Sequence, residues 1–435
     1  MKSAPSAEFT RTSARRIAFA VRWRWWLFPL FLAGHQLAVA RGAAPPPSGV
    51  DAGLRFLEER VKADPDDFIA HNQLVTRYLN QLRETGDYAW LSRARAAAEA
   101  SLAAIPAEQN TGGLAALARV QLAQHRFAEA AESAKKLALL TPQKTASQMI
   151  LGDALLEFGE TEQARRAYEK LGQNDPGSVD TGARLARLSQ VAGDFKAARE
   201  HLLAALAAAR QLVPESPETI AWCEVRLGEL AFAVGDWDEA GKQYQAALVT
   251  FPDYYAALDH LAELHGARGE FDRARELYEA LVKRLPRPEF FQALGDLLVF
   301  AGNPDEAKPW HDRALAGFLG SVEAGEVHYL HHLAGFFADV REDAAAAVKY
   351  AQQDLALRHT SAAHEMLGWA LFRGGDHKAA RAAMEEALGT GGRSAHLFHH
   401  AGMVFSAAGQ FERGQKLMRE ALALNPRYHA FHVHR

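Results

Sequence analysis

The stretch "LGELAFAVGDWDEAGKQYQAALVTFP" occupies residues 227–252 and carries the pattern that decides the fold. Its large apolar residues recur at three- and four-residue spacing, which is typical of helices with one buried side. The turn signal at Gly235 and Asp236 divides the stretch into two helices, and Pro252 ends the second. We expect Gly228 to lie where the two helices cross, because a larger side chain there would push their backbones apart.

Gly228 belongs to a ladder of small residues, each of which follows a leucine or a similar apolar residue. Five of the eight steps in this ladder are 34 residues long, and the others are 33, 39 and 42. A turn glycine follows seven residues later in most units, although Arg341 stands at that position in the eighth. A looser unit around Leu74 and Tyr78 precedes the ladder. The small residues of the ladder are Ala118, Gly152, Ala186, Gly228, Ala262, Gly295, Ala334, Gly368 and Gly402.

This arrangement resembles the tetratricopeptide repeat family, whose unit is a pair of antiparallel helices in about 34 residues. The resemblance covers residues 68–428. A single pair cannot bury its apolar stripe, so the units stack on one another. The predicted fold is therefore an all-α, right-handed α-solenoid of about ten helix–turn–helix units. Residues 41–67 are predicted to form a spacer and a capping helix, and residues 429–435 a C-terminal tail.

The first 40 residues are predicted to be a signal peptide. They carry a net charge of +5, whereas the rest of the chain carries −9. Arginines up to Arg24 precede the apolar run "WWLFPLFLAG", and "AVA" at residues 38–40 fits a cleavage site. The expected location is periplasmic or secreted. The alternative is an uncleaved inner-membrane anchor whose folded part faces the periplasm.

No catalytic motif is recognisable, and we expect neither enzymatic activity nor a cofactor. A glycine-rich phosphate loop, a GxSxG elbow and a zinc-protease histidine pair are all missing from the sequence. Cys223 is the only cysteine, which excludes an intrachain disulfide, and it is predicted to be a buried structural thiol. The acidic body also argues against nucleic acid as a partner.

The family resemblance implies that the chain binds a protein or peptide in a concave groove lined by the first helix of each unit. Acidic and aromatic residues alternate along this predicted groove, which suggests a peptide with basic and apolar side chains. Some of the aromatic residues could instead belong to the core. The predicted groove residues are Trp222, Glu229, Phe232, Asp259, Glu263, Glu289, Gln292, Asp296, Phe300, Glu365, Trp369, Phe372 and Arg373.

Histidines are concentrated towards the C-terminus, where 12 of the 19 follow residue 327. His328 with His331, and His396 with His399, lie one helical turn apart, so each pair could chelate a transition metal. Copying of a repeat explains the same pattern without any metal.

The leading hypothesis for function is an exported, non-enzymatic scaffold or adaptor. The alternative is a periplasmic protein that handles transition metals through these histidine pairs. The oligomeric state and the identity of a partner stay open at this point.

Overall fold

A computed structural model describes residues 52–428. The predicted signal peptide (1–40), most of the spacer and the C-terminal tail (429–435) lie outside these residues. Within residues 52–428, no helix is both long and apolar enough to cross a membrane.

The described part of the chain folds into 21 α-helices without a strand. The helices are α1 Ala52–Ala63, α2 Phe68–Thr85, α3 Ala89–Ala104, α4 Thr111–Ala123, α5 Phe127–Leu140, α6 Thr145–Phe158, α7 Thr161–Asn174, α8 Val179–Val191, α9 Phe195–Ala209, α10 Pro217–Ala233, α11 Trp237–Thr250, α12 Tyr255–Ala267, α13 Phe271–Arg284, α14 Pro288–Phe300, α15 Pro304–Glu323, α16 Leu330–Asp339, α17 Ala344–Leu357, α18 Ser361–Arg373, α19 His377–Gly389, α20 Ala395–Ala407 and α21 Phe411–Leu424.

Helix α1 precedes ten antiparallel pairs, which run from α2 and α3 in unit 1 to α20 and α21 in unit 10. Each pair packs closely, and each unit also packs on the next, so that the array forms an α-solenoid. The core follows the seam between successive units. It consists mainly of alanine, leucine and aromatic side chains on the buried side of each helix.

The ladder of small residues marks the crossing of the two helices in each unit. In unit 5, a Cβ atom at Gly228 would lie 2.3 Å from Cε1 of Tyr244, whose side chain is only 1% exposed. Gly152 meets Tyr168 in the same way, again at 2.3 Å. In both units, the tyrosine 16 residues after the glycine therefore fills the space that a side chain in place of that glycine would need.

The turn inside each unit requires left-handed backbone geometry. Gly235 has φ 79°, and its amide donates to the carbonyl of Phe232. Unit 8 lacks a glycine at this turn, and Glu342 adopts φ 52° there. In unit 2, the corresponding residue is His125, with φ 59°. Two units thus make the same turn with a residue that bears a side chain.

The solenoid coils so tightly that its second superhelical turn rests on its first. The amide of His359 donates to the carbonyl of Phe158 at 2.8 Å, and that of Arg393 donates to the carbonyl of Val191 at 3.2 Å. Nδ2 of Asn425 lies 3.4 Å from the carbonyl of Phe232. The first two links each join the turn inside one unit to the segment before the unit that lies six places later in the array. The third link joins the turn inside unit 5 to the segment that follows unit 10.

Two further links extend this pattern to the start of the array. Nη1 of Arg287 donates to the carbonyl of Gly86 at 3.3 Å, and Nη2 of Arg126 donates to the carbonyl of Gly325 at 3.2 Å. One superhelical turn therefore takes six units. We call these five links together the inter-turn contact.

Candidate functional site

A cavity of about 620 Å³ lies on the inner side of the superhelix, bordered by both turns. Its wall on the first turn comes mainly from α6, α8, α10 and α12, which are the first helices of units 3 to 6. The second helices of units 3 to 5 add Thr161, Phe195 and Tyr244. Its wall on the second turn comes from the segments before α18 and α20 and from the beginnings of these two helices. A cavity of this size suits a small ligand or a few side chains of an extended peptide.

The structure brings only some of the predicted groove residues together. Glu229, Phe232, Glu263 and Glu365 line the cavity, and Trp222 lines a neighbouring one of about 460 Å³. The other eight line neither cavity: Asp259, Glu289, Gln292, Asp296, Phe300, Trp369, Phe372 and Arg373.

The carboxylates of the cavity wall on the first turn are neutralised by basic groups of the protein itself. Glu229 forms an ion pair with Arg226, and its Oε1 lies 2.7 Å from Nε2 of His260. Nδ1 of His260 lies 3.5 Å from Glu263. Burial alone would lower the pKa of His260, but the surrounding carboxylates raise it to about 10. His260 is therefore protonated at neutral pH and compensates the buried acids.

Two further predicted acids, Asp296 and Glu289, also have partners within the protein. Oδ1 of Asp296 lies 2.9 Å from Nε2 of His311, and Gln292 contacts the same carboxylate at 3.4 Å. Glu289 pairs with Arg287 and accepts from the hydroxyl of Tyr329 at 2.7 Å. A basic peptide would therefore have to compete with partners that these carboxylates already have within the protein.

The aromatic residues of the predicted groove mostly belong to the packing between helices. Trp369 is 7% exposed, and its indole nitrogen donates to Asp339 at 3.0 Å. Phe372 packs on Trp369, and Arg373 forms an ion pair with Glu342 at 3.1 Å. Phe300 is 38% exposed and meets Phe271 edge to face. Of these residues, Phe300 alone offers a large apolar surface.

Two features of the cavity were not predicted from the sequence. Arg393 lines the cavity, stacks over the ring of Phe398 and has no carboxylate partner among residues 52–428. The N-termini of α18 and α20 also border the cavity, where Thr360 and Ser394 form the caps. Helix N-termini and arginine both favour an anion. A repeat alignment does not reveal these groups, because they precede the first helix of their unit.

The two residues of the first predicted histidine pair contact different groups. Nδ1 of His331 lies 2.9 Å from Oδ2 of Asp354. His328 instead packs against Tyr88 at 4.8 Å, in the preceding superhelical turn. These two histidines therefore have separate contacts, and only His331 lies within α16, since His328 precedes that helix.

In the second predicted pair, His396 contacts His400. The ring of His396 lies 4.0 Å from that of His400, the residue one position beyond the expected partner, and His399 packs on Tyr428 at 5.0 Å. His396 and His400 share the carboxylate of Glu365, at 2.5 and 3.2 Å.

The single cysteine is not part of any site described here. Cys223 is completely buried in α10, and burial raises the pKa of its thiol to about 12. A thiol with this pKa carries almost no thiolate at neutral pH and is a poor nucleophile.

Models of the tetratricopeptide repeat match residues 115–179, 155–215, 231–297 and 361–386. The solved structures that are similar include a tetratricopeptide repeat protein from Parabacteroides merdae, with 17% identity over 58% of this chain and 93% of that chain and a TM-score of 0.38. A thermophilic protein of the same repeat type from Thermus thermophilus has 26% identity over 42% of this chain and 98% of its own, with a TM-score of 0.34.

The human IFIT1 dimer with PPP-AAAA is 13% identical over 86% of this chain and 95% of that chain, with a TM-score of 0.45. A search of curated protein sequences finds no match. The family models follow the repeat that the helix pairs and the small-residue ladder display, and the chain belongs to the tetratricopeptide repeat family.

Proposed function

We propose that this protein is an exported, non-enzymatic adaptor that holds a segment of a partner protein in the cavity between its two superhelical turns. The repeat family is one of protein interaction, which supports the adaptor role. The basic and apolar N-terminal segment supports export. The observation that carries the proposal is the cavity of about 620 Å³, which both turns border.

The cavity favours a segment that presents a carboxylate next to an apolar side chain. Arg393 and the N-termini of α18 and α20 supply the positive field for the carboxylate. Leu156, Phe195 and Phe232 supply an apolar wall. The carboxylates that line the cavity are already paired with arginine or histidine, so a basic segment gains little from them.

Paired fluorescent peptides test this preference. Each pair consists of one extended peptide with an acidic residue beside a leucine and one with lysine in place of the acid. We expect only the acidic peptide to bind the wild type. Arg393→Glu should weaken that binding at least tenfold, which corresponds to about 1.4 kcal/mol.

Arg419→Glu serves as the matched control, because Arg419 is an exposed residue of α21 that does not line the cavity. It should bind like the wild type. Equal binding of the acidic peptide to wild type and Arg393→Glu contradicts the proposed orientation in the cavity. Turnover of a substrate by the purified protein alone contradicts the non-enzymatic role.

Export is tested on the N-terminus of the protein that leaves the cytoplasm. We expect this mature chain to begin near Arg41, after the "AVA" sequence. A chain that starts at Met1 and stays with the membrane fraction would favour the anchor.

A further inference from the structure

Glu365, His396 and His400 form a compact group at the edge of the cavity, which we call the Glu365 cluster. Glu365 lies on α18, and the two histidines lie one helical turn apart on α20. Each residue offers one ligand atom, and these three atoms lie within 4.8 Å of one another. Within residues 52–428, this is the only group of three or more such side chains close enough to share an ion.

The two imidazoles converge on one oxygen of Glu365. Oε1 of Glu365 lies 2.5 Å from Nδ1 of His396 and 3.2 Å from Nδ1 of His400. This oxygen of Glu365 is buried. Convergence of two ring nitrogens and a carboxylate oxygen within 4.8 Å of one another is an arrangement that can hold one ion.

The cluster is held in place by its surroundings. The side chain of Glu365 is 10% exposed and that of His400 is 7% exposed. The ring of His400 stacks on Trp369 with 3.9 Å between centroids and 4° between planes. Trp369 is itself fixed by the hydrogen bonds of its indole nitrogen to Asp339. Such outer contacts orient the ligands of metal sites.

We propose that Glu365, His396 and His400 bind one Zn²⁺ ion, with water in the remaining coordination position. Two histidines and a glutamate are an established ligand set for zinc with an open position. Ligands of a tetrahedral zinc ion lie about 3.3 Å apart, so the separation of Glu365 from His400 already fits. Zinc binding would lengthen the separation of Glu365 from His396 by about 1 Å. It would also bring the two imidazole nitrogens, which lie within 4.8 Å of each other, to a similar separation.

The cavity provides the route by which the ion enters. Glu365 and His396 both line it, whereas the stack of His400 on Trp369 closes the opposite side. The open coordination position therefore faces the cavity, where water or a carboxylate of a ligand can reach the ion. The metal site depends on the contact between α18 and α20 and does not require that the cavity binds a peptide.

Titration calorimetry of metal-free protein with Zn²⁺ tests the proposal. The protein is produced without a histidine tag and with His429, His432 and His434 changed to alanine, because these tail residues could bind metal themselves. We expect one Zn²⁺ per chain. Separate changes His396→Ala and Glu365→Gln should each weaken binding by more than the roughly 10- to 100-fold that loss of an outer partner typically costs.

His399→Ala is the matched control, since His399 neighbours His400 on α20 but lies outside the cluster. This variant and the double variant His328→Ala with His331→Ala should bind Zn²⁺ like the parent protein. Circular dichroism identifies any variant that fails to fold. Absence of Zn²⁺ binding by the parent, or unchanged binding by a folded Glu365→Gln variant, overturns the proposal.

Two measurements on the unaltered cluster complete the test. Co²⁺ in place of zinc should give a visible absorption spectrum of low-symmetry coordination by nitrogen and oxygen. Zn²⁺ should also raise the unfolding temperature of the parent protein, because it binds the folded state. No spectrum with Co²⁺ and no thermal shift with Zn²⁺ would likewise overturn the site.

Discussion

At Gly228, the spacing between two helices depends on the lack of a single methyl group. The Cβ atom of alanine there would lie 2.3 Å from the ring of Tyr244, which is rigid and buried. We expect Gly228→Ala to lower the free energy of unfolding by about 1–3 kcal/mol, and Gly228→Leu by more. Urea unfolding monitored by circular dichroism measures the loss.

Gly368 provides the comparison, since it occupies the same position in unit 9. Its Cβ atom would meet the flexible side chain of Met384 at 3.0 Å. Methionine adapts its shape more readily than tyrosine, so Gly368→Ala should cost less than Gly228→Ala. Equal losses for the two variants would show that the ring of Tyr244 does not decide the spacing.

His260 makes the stability of the inner wall depend on pH. Burial alone lowers its pKa, but Glu229, Glu263 and Asp259 raise it to about 10. A pKa above the unfolded value means that the stabilisation is complete below about pH 6.5 and is lost as the pH rises towards 10. Because only one proton is released, the free energy of unfolding cannot fall by more than about 1.4 kcal/mol per pH unit.

Changing His260 to glutamine should abolish this dependence. The variant should be less stable than the wild type at about pH 6, and the difference should shrink between about pH 7 and 10. Urea unfolding at a series of pH values compares the two proteins. A difference that stays constant over this range would contradict the protonated state of His260.

At the scale of a helix, the caps decide how firmly each unit begins its second helix. Oδ1 of Asp236 accepts from the amide of Glu239 at the start of α11, at 3.1 Å. We expect Asp236→Ala to cost about 1 kcal/mol. Gln410 stands at the equivalent position of α21 without a side-chain cap bond, so Gln410→Ala should be nearly neutral.

Because each unit packs mainly on its neighbours, the effect of Asp236→Ala should remain local. Hydrogen exchange should accelerate in units 4 to 6 more than in the rest of the array. Uniform acceleration from unit 1 to unit 10 would show that the superhelix unfolds as one cooperative body instead.

For the whole molecule, the inter-turn contact introduces sensitivity to acid. His125 lies next to Arg126 at the edge of this contact, and its ring is 6.3 Å from that of His328. Burial and the nearby Arg358 lower the pKa of His125 to about 3, and burial lowers that of His328. Both histidines are therefore neutral in the closed superhelix. Their stabilising effect is complete above about pH 6.5 and is lost as the pH falls below it.

We expect the two superhelical turns to separate more readily between about pH 6 and pH 4. Small-angle X-ray scattering should show a growing radius of gyration before the helical circular dichroism signal falls. His125→Asn removes the titrating group and keeps a residue that tolerates positive φ, so it should reduce this expansion. His201→Ala, on α9, should not alter it. Expansion that is identical in wild type and His125→Asn would exclude His125 as the cause.

The repeat could be predicted from the sequence because its contacts are local. Gly228 and Tyr244 are 16 residues apart, and their packing recurs with the ladder. The predicted groove was less accurate. Position in the unit indicates that Glu229 and Glu263 face inwards, but their pairing with His260 depends on the angle between α10 and α12. His400 was missed as the partner of His396 because the orientation of α20 selects between it and His399.

The sequence by itself determined the helix pairs, their turns and their order in the array, because each of these depends on residues within one or two units. Only the tertiary structure decided that six units complete a superhelical turn and that unit 3 meets the segment before unit 9. This outcome results from small rotations between successive units, which accumulate over about 200 residues. Local periodicity contains no information on that sum, so the cavity, Arg393 at its edge and the Glu365 cluster emerge only when the two turns meet.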